Sequence, residues 1–313
     1  MQDQPLVSVI VPVYNRAHLV PRVIGSICHQ SWRNLEILVV DDCSTDDVAG
    51  AVAALGDERV RLVRRERNGG VAAARNTGVE AARADFVAFH DSDDICLFDR
   101  IERSMNVLRS LPDDHIGVYG VRLFYGQVSE AEYHRIYAEV LPRAHERQVS
   151  GDLYLRTVQD NILNFPTLLL RASALRAAGP SDELLRKNVD WDLSLRLTRL
   201  GKFGFITEPL VVTPDSLDPS VSAARVSRSV RQGARSFAHI TRKLKLHGHK
   251  GPALAKHYGT AGKFLMKIDR PRSARKYFAA ALGMAPATPN LWAHYVLSYA
   301  PRLHARLRRP MPL

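Results

Sequence analysis

Residues 86–100, FVAFHDSDDICLFDR, run an apolar stretch into a histidine and a knot of acids: His90, Asp91, Ser92, Asp93 and Asp94, with Asp99 and Arg100 close behind. Three like charges within four residues repel one another, so water, arginines or a metal ion must neutralise them. In extended backbone, residues two apart share a face. That predicts that Asp91 and Asp93 look the same way and leaves Asp94 free to cap the following helix. His90 reads as a packed strand residue, with metal ligation as the alternative. A second acidic pair, Asp41 and Asp42, ends the run LEILVVDD, with Ser44 or Asp46 placed to cap the helix that follows. Tyr14, Asn15 and Arg16 end the run VSVIVPVY, and Tyr14 offers a flat ring for stacking. The stretch NGGVAAARNTG carries Arg75 behind two glycines. It lacks the lysine of a P-loop and the G-x-G-x-x-G spacing, so Gly69 and Gly70 are read as making a turn. Far along the chain, Asp190 and Asp192 flank Trp191 at the start of a helical pattern, where the helix dipole favours acids.

These residues need elements to hold them. Apolar, β-branched runs at 6–14, 35–42, 60–65 and 85–91 alternate with helical patterns at 17–30, 46–55 and 70–83. That alternation predicts an α/β fold with a mostly parallel sheet covered by helices on both faces. Ligands of such sheets bind beyond the carboxyl ends of the strands, which is where YNR, DDCSTD and DSDD stand. Further on, 116–126 reads as a strand and 164–179 as a strand, a turn and a short helix ending at Gly179. Residues 189–201 read as an amphipathic helix and 203–214 as strand again. After Ser216 the pattern turns helical. Val226, Val230, Ala234, Phe237, Ile240 and Leu244 form one apolar stripe; Leu254, Tyr258, Ala261, Leu265 and Ile268 form another. Residues 259–286 look like one helix–turn–helix unit of the tetratricopeptide kind. The expected division is an α/β domain over 1–215 and a basic α-helical C-terminal region over 216–313.

The 313 residues, 46% of them hydrophobic, suffice for a large core. Cysteines at 28, 43 and 96 are odd in number and lack a C-x-x-C pair, which points away from a disulfide scaffold and towards a reducing compartment. The first residues show no signal-peptide pattern, and no window of 18 uninterrupted apolar residues occurs. The net charge of +12 is uneven. Residues 222–313 carry 19 Lys+Arg against one acid, Asp269, whereas the preceding residues carry 25 Lys+Arg against 31 acids. The back of the chain should therefore seek an anionic surface. Nucleic acid is the alternative surface, but no reader motif or aromatic–basic interleave accompanies the charge, so no nucleic acid is expected as a partner.

VSVIVPVYNR, LEILVVDDCSTD, NGGVAAARNTGVEAA and DFVAFHDSDD, in this order and at these separations, resemble the family 2 inverting glycosyltransferases of GT-A fold, notably those of bacterial polysaccharide and cell-surface glycan synthesis. AAGPSDELLRKNVDWDLSLRLTRLGKFGFI resembles their later, acceptor-side segment, so the resemblance covers about residues 6–212. It implies transfer of a sugar from a nucleotide-sugar donor, a UDP-sugar, to a glycan or lipid-linked acceptor, with Mn²⁺ or Mg²⁺ as cofactor. By the resemblance, Asp93 is the metal ligand and Asp91 lies near the ribose or the metal. Pro12, Tyr14, Arg16, Asp42, Arg75 and Ser92 contact the nucleotide, Asp42 at its base. Inverting transfer needs a base to take the acceptor's proton, and the resemblance gives that role to Asp190 with Asp192 as competitor. The family often reads Glu-Asp-aromatic here; this chain has Val189 before Asp190. Some relatives add a histidine ligand after the last strand, where this chain reads VVTPDSLDPSVS, without one. The basic region is expected to rest on the inner face of the plasma membrane, in the cytoplasm. A nucleotidyltransferase would need a glycine-rich basic loop after the first strand, and VPVYNRAHLV has no glycine.

Overall fold

The computed structural model describes residues 4–125, 150–214, 230–246, 248 and 250–300. The chain divides into two units. The first comprises Met1–Thr157, Asn161–Leu184 and Val189–Ser222; the second comprises Val158–Asp160, Leu185–Asn188 and Ala223–Leu313.

Among the described residues, the first unit is built on eight strands: β1 (Val7–Val13), β2 (Leu35–Asp41), β3 (Val60–Arg64), β4 (Phe86–Phe89), β5 (Ile95–Cys96), β6 (His115–Tyr125), β7 (Leu169–Arg171) and β8 (Lys202–Pro214). They form one sheet in the order β3-β2-β1-β4-β7-β6-β8-β5. The predicted parallel pairing holds for β3-β2-β1-β4 and returns between β6 and β8. The remaining pairings, β4 with β7, β7 with β6 and β8 with β5, are antiparallel, so the sheet is mixed.

The strands read as nearly continuous apolar runs because both faces are covered. Val7, Val9, Val11, Ile37 and Val39 join one core cluster with Val20, Val23, Ile24 and Ile27 of α1 (Val20–Cys28). Ile10, Leu38 and Val40 look the other way, into a second cluster with Ala74 of α3 (Val71–Ala81) and Leu193 of the later helix α7 (Val189–Leu197). In α3, Gly78 sits against Ile10 so closely that a Cβ would run into it. The short α2 (Val48–Ala53) is capped by Asp47, whose carboxylate accepts from Gly50 N at 2.8 Å, rather than by Ser44 or Asp46. The sequence pattern gave no warning of the two-residue β5, and the helix expected after Asp94 begins later than that expectation implied, as α4 (Arg100–Ser110). Two further helices, α5 (Tyr154–Gln159) and α6 (Ala172–Ala178), complete the series before α7, and α6 ends at Gly179 with φ 76° as the sequence predicts.

The second unit holds α8 (Val230–Leu246), α9 (Pro252–Lys267), α10 (Pro271–Met284) and α11 (Pro289–Leu297). Three of these helices begin with proline, whose missing N–H costs nothing in a first turn. The helix–turn–helix expected at 259–286 is the α9–α10 hairpin. Phe278 of α10 packs on Gly262 of α9, where a Cβ would stand 2.6 Å from the ring. Val226 lies outside the described residues. Among those residues, no helix is long and apolar enough to cross a membrane.

Candidate active site

The carboxyl ends of β1 and β2 are tied to each other. Asn15, left-handed at φ 51°, donates its N–H to Ser44 Oγ at 2.9 Å, and its side-chain oxygen accepts from Thr45 N at 2.8 Å. Cys43 is also left-handed at φ 63°, a conformation that costs an L-residue about 1–2 kcal/mol. Pro12 lies within β1 opposite Val40. Tyr14 is 47% exposed, so its ring is not used to close the core. Arg16 reaches the acid turn, donating to Ser92 Oγ at 2.9 Å and standing 3.4 Å from Asp93 Oδ1.

Asp42 is buried, and both of its carboxylate oxygens accept hydrogen bonds. One carboxylate oxygen accepts from Arg65 and from Gly69 N at 3.0 Å; the other accepts from Gly70 N at 2.7 Å. The two glycines therefore make a turn whose amides close on Asp42. Asn68 adds a bond to the Asp42 carbonyl at 3.1 Å. This pins the start of α3, one helical turn before Arg75.

The acid turn does not have the extended geometry expected of it. Asp94 N donates to Asp91 O at 3.2 Å, so 91–94 is a tight turn and the alternation argument for Asp91 and Asp93 does not apply. Each acid takes a different arginine: Asp91 pairs with Arg75 at 3.1 Å, Asp93 with Arg16, and Asp94 with Arg122 at 2.8 Å. Asp94 is no helix cap. It is fully buried and accepts from Thr213 Oγ1 at 2.6 Å, while Asp99 occupies the position before α4. Burial, with Asp91 adding repulsion, pushes the Asp94 carboxyl up to about 7. For Asp91 burial acts in the same direction, but Arg75 and Arg122 outweigh it and hold the group below its ordinary range. His90 is a packed residue. Burial and the neighbouring Arg100 push it down to about 3, so the ring is neutral. It accepts at Nδ1 from the buried Arg100 at 3.1 Å and donates from Nε2 to the Asp94 carbonyl at 3.2 Å.

A cavity of about 310 Å³ opens beside this turn, and Arg75, Asp91, Arg122, Asn161, Phe165 and Asp190 are among its lining residues. The Arg75 guanidinium lies 5.7 Å from the Phe89 ring centre and 5.0 Å from that of Phe165, which fixes its plane. Asp190, in the first turn of α7, accepts from Asn161 Nδ2 at 2.8 Å. Its competitor Asp192 is buried and paired with Arg196, one turn along the same helix, at 3.0 Å. Asp42 and Asp93 are not part of the cavity lining. Arg122 and Asn161 escaped sequence reasoning; the one available signal was an arginine inside the otherwise apolar strand IGVYGVRLFYG.

Among the described residues no three His, Cys, Asp or Glu side chains gather as a metal cage. A hard cation that keeps phosphate and water oxygens asks for only one or two carboxylates. The turn contains two such carboxylates, Asp91 and Asp93, each paired with an arginine. Beside them, Asp94 Oδ2 is buried without a hydrogen-bond partner, so acceptor capacity is left over.

The family model described as glycosyl transferase family 2 matches residues 8–166. An uncharacterized glycosyltransferase of Rickettsia prowazekii is 29% identical over 208 residues, covering 66% of this chain and 63% of its own, so the chain spans under two thirds of that relative's length. The UDP-Glc:alpha-D-GlcNAc-diphosphoundecaprenol beta-1,3-glucosyltransferase WfgD of Escherichia coli is 39% identical over 106 residues, 34% of this chain and 42% of its own. Staphylococcus aureus TarS 1-349, solved with UDP-GlcNAc, superposes with a TM-score of 0.66 at 17% identity over 94% of this chain and 87% of its own. The mannosyltransferase PcManGT of Pyrobaculum calidifontis, solved with GDP-Man and Mn²⁺, superposes with a TM-score of 0.57 at 20% identity, covering 96% and 81%. These likenesses give the fold, which is GT-A with added C-terminal helices.

Proposed function

The chain belongs to glycosyl transferase family 2, and on that premise we propose that it moves a sugar from a nucleoside-diphosphate sugar to an acceptor hydroxyl with inversion at the anomeric carbon. The observation that carries this reading is one cavity lined by Asp190, Asp91, Arg75 and Arg122. It offers a carboxylate for a proton and guanidinium groups for a diphosphate.

Asp190, held by Asn161, takes the proton of the attacking hydroxyl. Arg75, set against the stacked Phe89 and Phe165 rings, and Arg122, fixed by Asp94 and Thr213, face the negative charge that grows on the leaving diphosphate. Asp93 and Asp91 would hold Mn²⁺ or Mg²⁺, which when bound supplies Lewis-acid stabilisation of that same charge. The nucleoside lies against the ends of β1 and β2, near Pro12, Tyr14, Arg16 and Ser92. Asp42 serves it by holding the Gly69–Gly70 turn as well as through its own edge. A UDP-sugar is the favoured donor, in keeping with the complexes of TarS. A lipid-linked glycan is the favoured acceptor class, in keeping with the name of WfgD. Residues 1–215 would carry the chemistry, and the basic region 216–313 would meet an anionic membrane face from the cytoplasmic side.

Turnover of a panel of UDP- and GDP-sugars with Mn²⁺ or Mg²⁺, and binding of the same nucleotides, tests the assignment. Asp93→Ala should lose metal-dependent nucleotide binding. Asp190→Asn should bind donor normally and lose at least about 100-fold in turnover, the low end of what general bases contribute. An Asp190→Asn enzyme working at full rate would refute the base.

A further inference from the structure

Asn161 and Asp190, the hydrogen-bonded pair of the cavity, share an oddity of chain placement. Each is reached directly from a short piece of the second unit. Val158–Asp160 runs straight into Asn161, and Leu185–Asn188 runs straight into Val189 and Asp190. Within that unit one helix, α9, grips both pieces. Its buried His257 donates from Nε2 to the carbonyl of Val158, so the ring carries its proton on Nε2. The neighbouring Lys256 stands 3.5 Å from Asp160. Two turns along, the Phe264 ring receives the Lys187 ammonium at 5.5 Å, with Lys267 at 5.6 Å. Phe237 of α8 stacks on Phe264 at 5.3 Å and lies 6.3 Å from the His257 ring, so a single aromatic row backs both grips. Val158 and Leu185 are buried at 1% and 3% exposure. Asn188 closes the second piece with φ 59°, a left-handed turn that the flanking structure must hold.

We propose that α9 is the brace of the acceptor base: through His257 and Phe264 it fixes the two chain pieces whose continuations carry Asn161 and Asp190. This rests on the reading of Asp190 as the base. His257, Phe264 and Lys187 are positioning residues, acting through the backbone that leads to the pair. The argument for a catalytic rather than merely cohesive purpose is selectivity. The same helix takes hold of the chain immediately before both members of one hydrogen bond, and a misplacement of about 1 Å in a reacting group costs on the order of 100-fold in rate.

The test uses the full chain with UDP-glucose, UDP-N-acetylglucosamine and GDP-mannose as donor probes and water or a glycan as acceptor. His257→Leu removes the donor to Val158; His257→Gln keeps one. Lys187→Met removes the one of the two cations over Phe264 that belongs to the 185–188 piece; Lys187→Arg keeps a cation there. The Leu and Met variants should raise amide exchange in both 158–164 and 185–192 and lower kcat about tenfold. KM for the donor and affinity for UDP should stay within twofold, and the Gln and Arg variants should recover most of the loss. If His257→Leu does not fold, the Lys187 pair carries the same measurement. Unchanged exchange in both segments, or full kcat in variants that fold while Asp190→Asn is dead, would overturn the brace. Full turnover in Asp190→Asn would overturn the base instead, and the exchange data would still decide whether α9 holds the two pieces.

Discussion

Asp42 shows how one side chain serves a site without lining its cavity. Both of its oxygens accept bonds, from Arg65, Gly69 N and Gly70 N, and these bonds fix the turn from which α3 departs. Asparagine in its place offers one acceptor oxygen and no charge. Asp42→Asn should therefore cost about 1.5–3 kcal/mol, the worth of a hydrogen bond to a charged group. It should also weaken UDP binding, while Asp93→Ala should leave thermal stability nearly unchanged; thermal melts with and without UDP measure both effects. The sequence announced the acids, because carboxylates at strand ends stand out from apolar runs. It did not announce their partners. Asp94 takes Arg122 from 28 residues away and Thr213 from 119 residues away, and no local pattern encodes such a meeting. The tight turn at 91–94 was hidden for a related reason. Four polar residues in a row give no periodicity from which to tell extended from folded backbone.

At the scale of elements, the β1–β2 pair contains a polar bond inside an apolar sheet. Ser8 and Glu36 face each other in register, and Ser8 Oγ donates to Glu36 at 2.5 Å. The Glu36 carboxylate also accepts from Arg83 N at 2.6 Å and Arg83 Nε at 3.0 Å, which ties the end of α3 to the sheet. Burial alone would push this carboxyl up, but the Ser8 hydroxyl and the two Arg83 donors outweigh it and hold the group below 4.5. A depressed folded value means that the stabilisation is fully present above the unfolded value and is lost as pH falls through the folded one. Acid titration of stability should show this loss below about pH 4.5, the ordinary carboxyl range. Glu36→Gln should cost about 1–3 kcal/mol at neutral pH and flatten that acid limb, as read by denaturant melts across pH. The strands and helices of the first hundred residues were legible because each is a long, one-period pattern. β5 was not, and neither was the antiparallel direction in which β7 and β5 pair, since a two-residue strand carries no period and short strands take their direction from neighbours far along the chain.

Across the whole molecule, the division of charge was plain in composition, and the helical pattern of the back region was plain in its apolar stripes. What composition could not convey is that Val158–Asp160 and Leu185–Asn188 belong with those helices. If the basic region meets an anionic leaflet, each Lys or Arg near it contributes about 1 kcal/mol, screened within a Debye length of about 10 Å at 0.1 M salt. The full chain should float with phosphatidylglycerol vesicles at low salt, release at high salt, and ignore phosphatidylcholine vesicles. Failure to float with the anionic vesicles would end the membrane reading. One more consequence follows from Thr213 and β8, which complete the surroundings of Asp94 and pair with β5. A chain emerging from the ribosome, N-terminus first, can assemble β1 to β4 early, yet the acid turn stays unfinished until some 120 more residues have been synthesised. A translation product halted before Thr213 would hold the front strands together and still lack a competent turn, so premature termination should yield inert protein rather than a runaway partial enzyme.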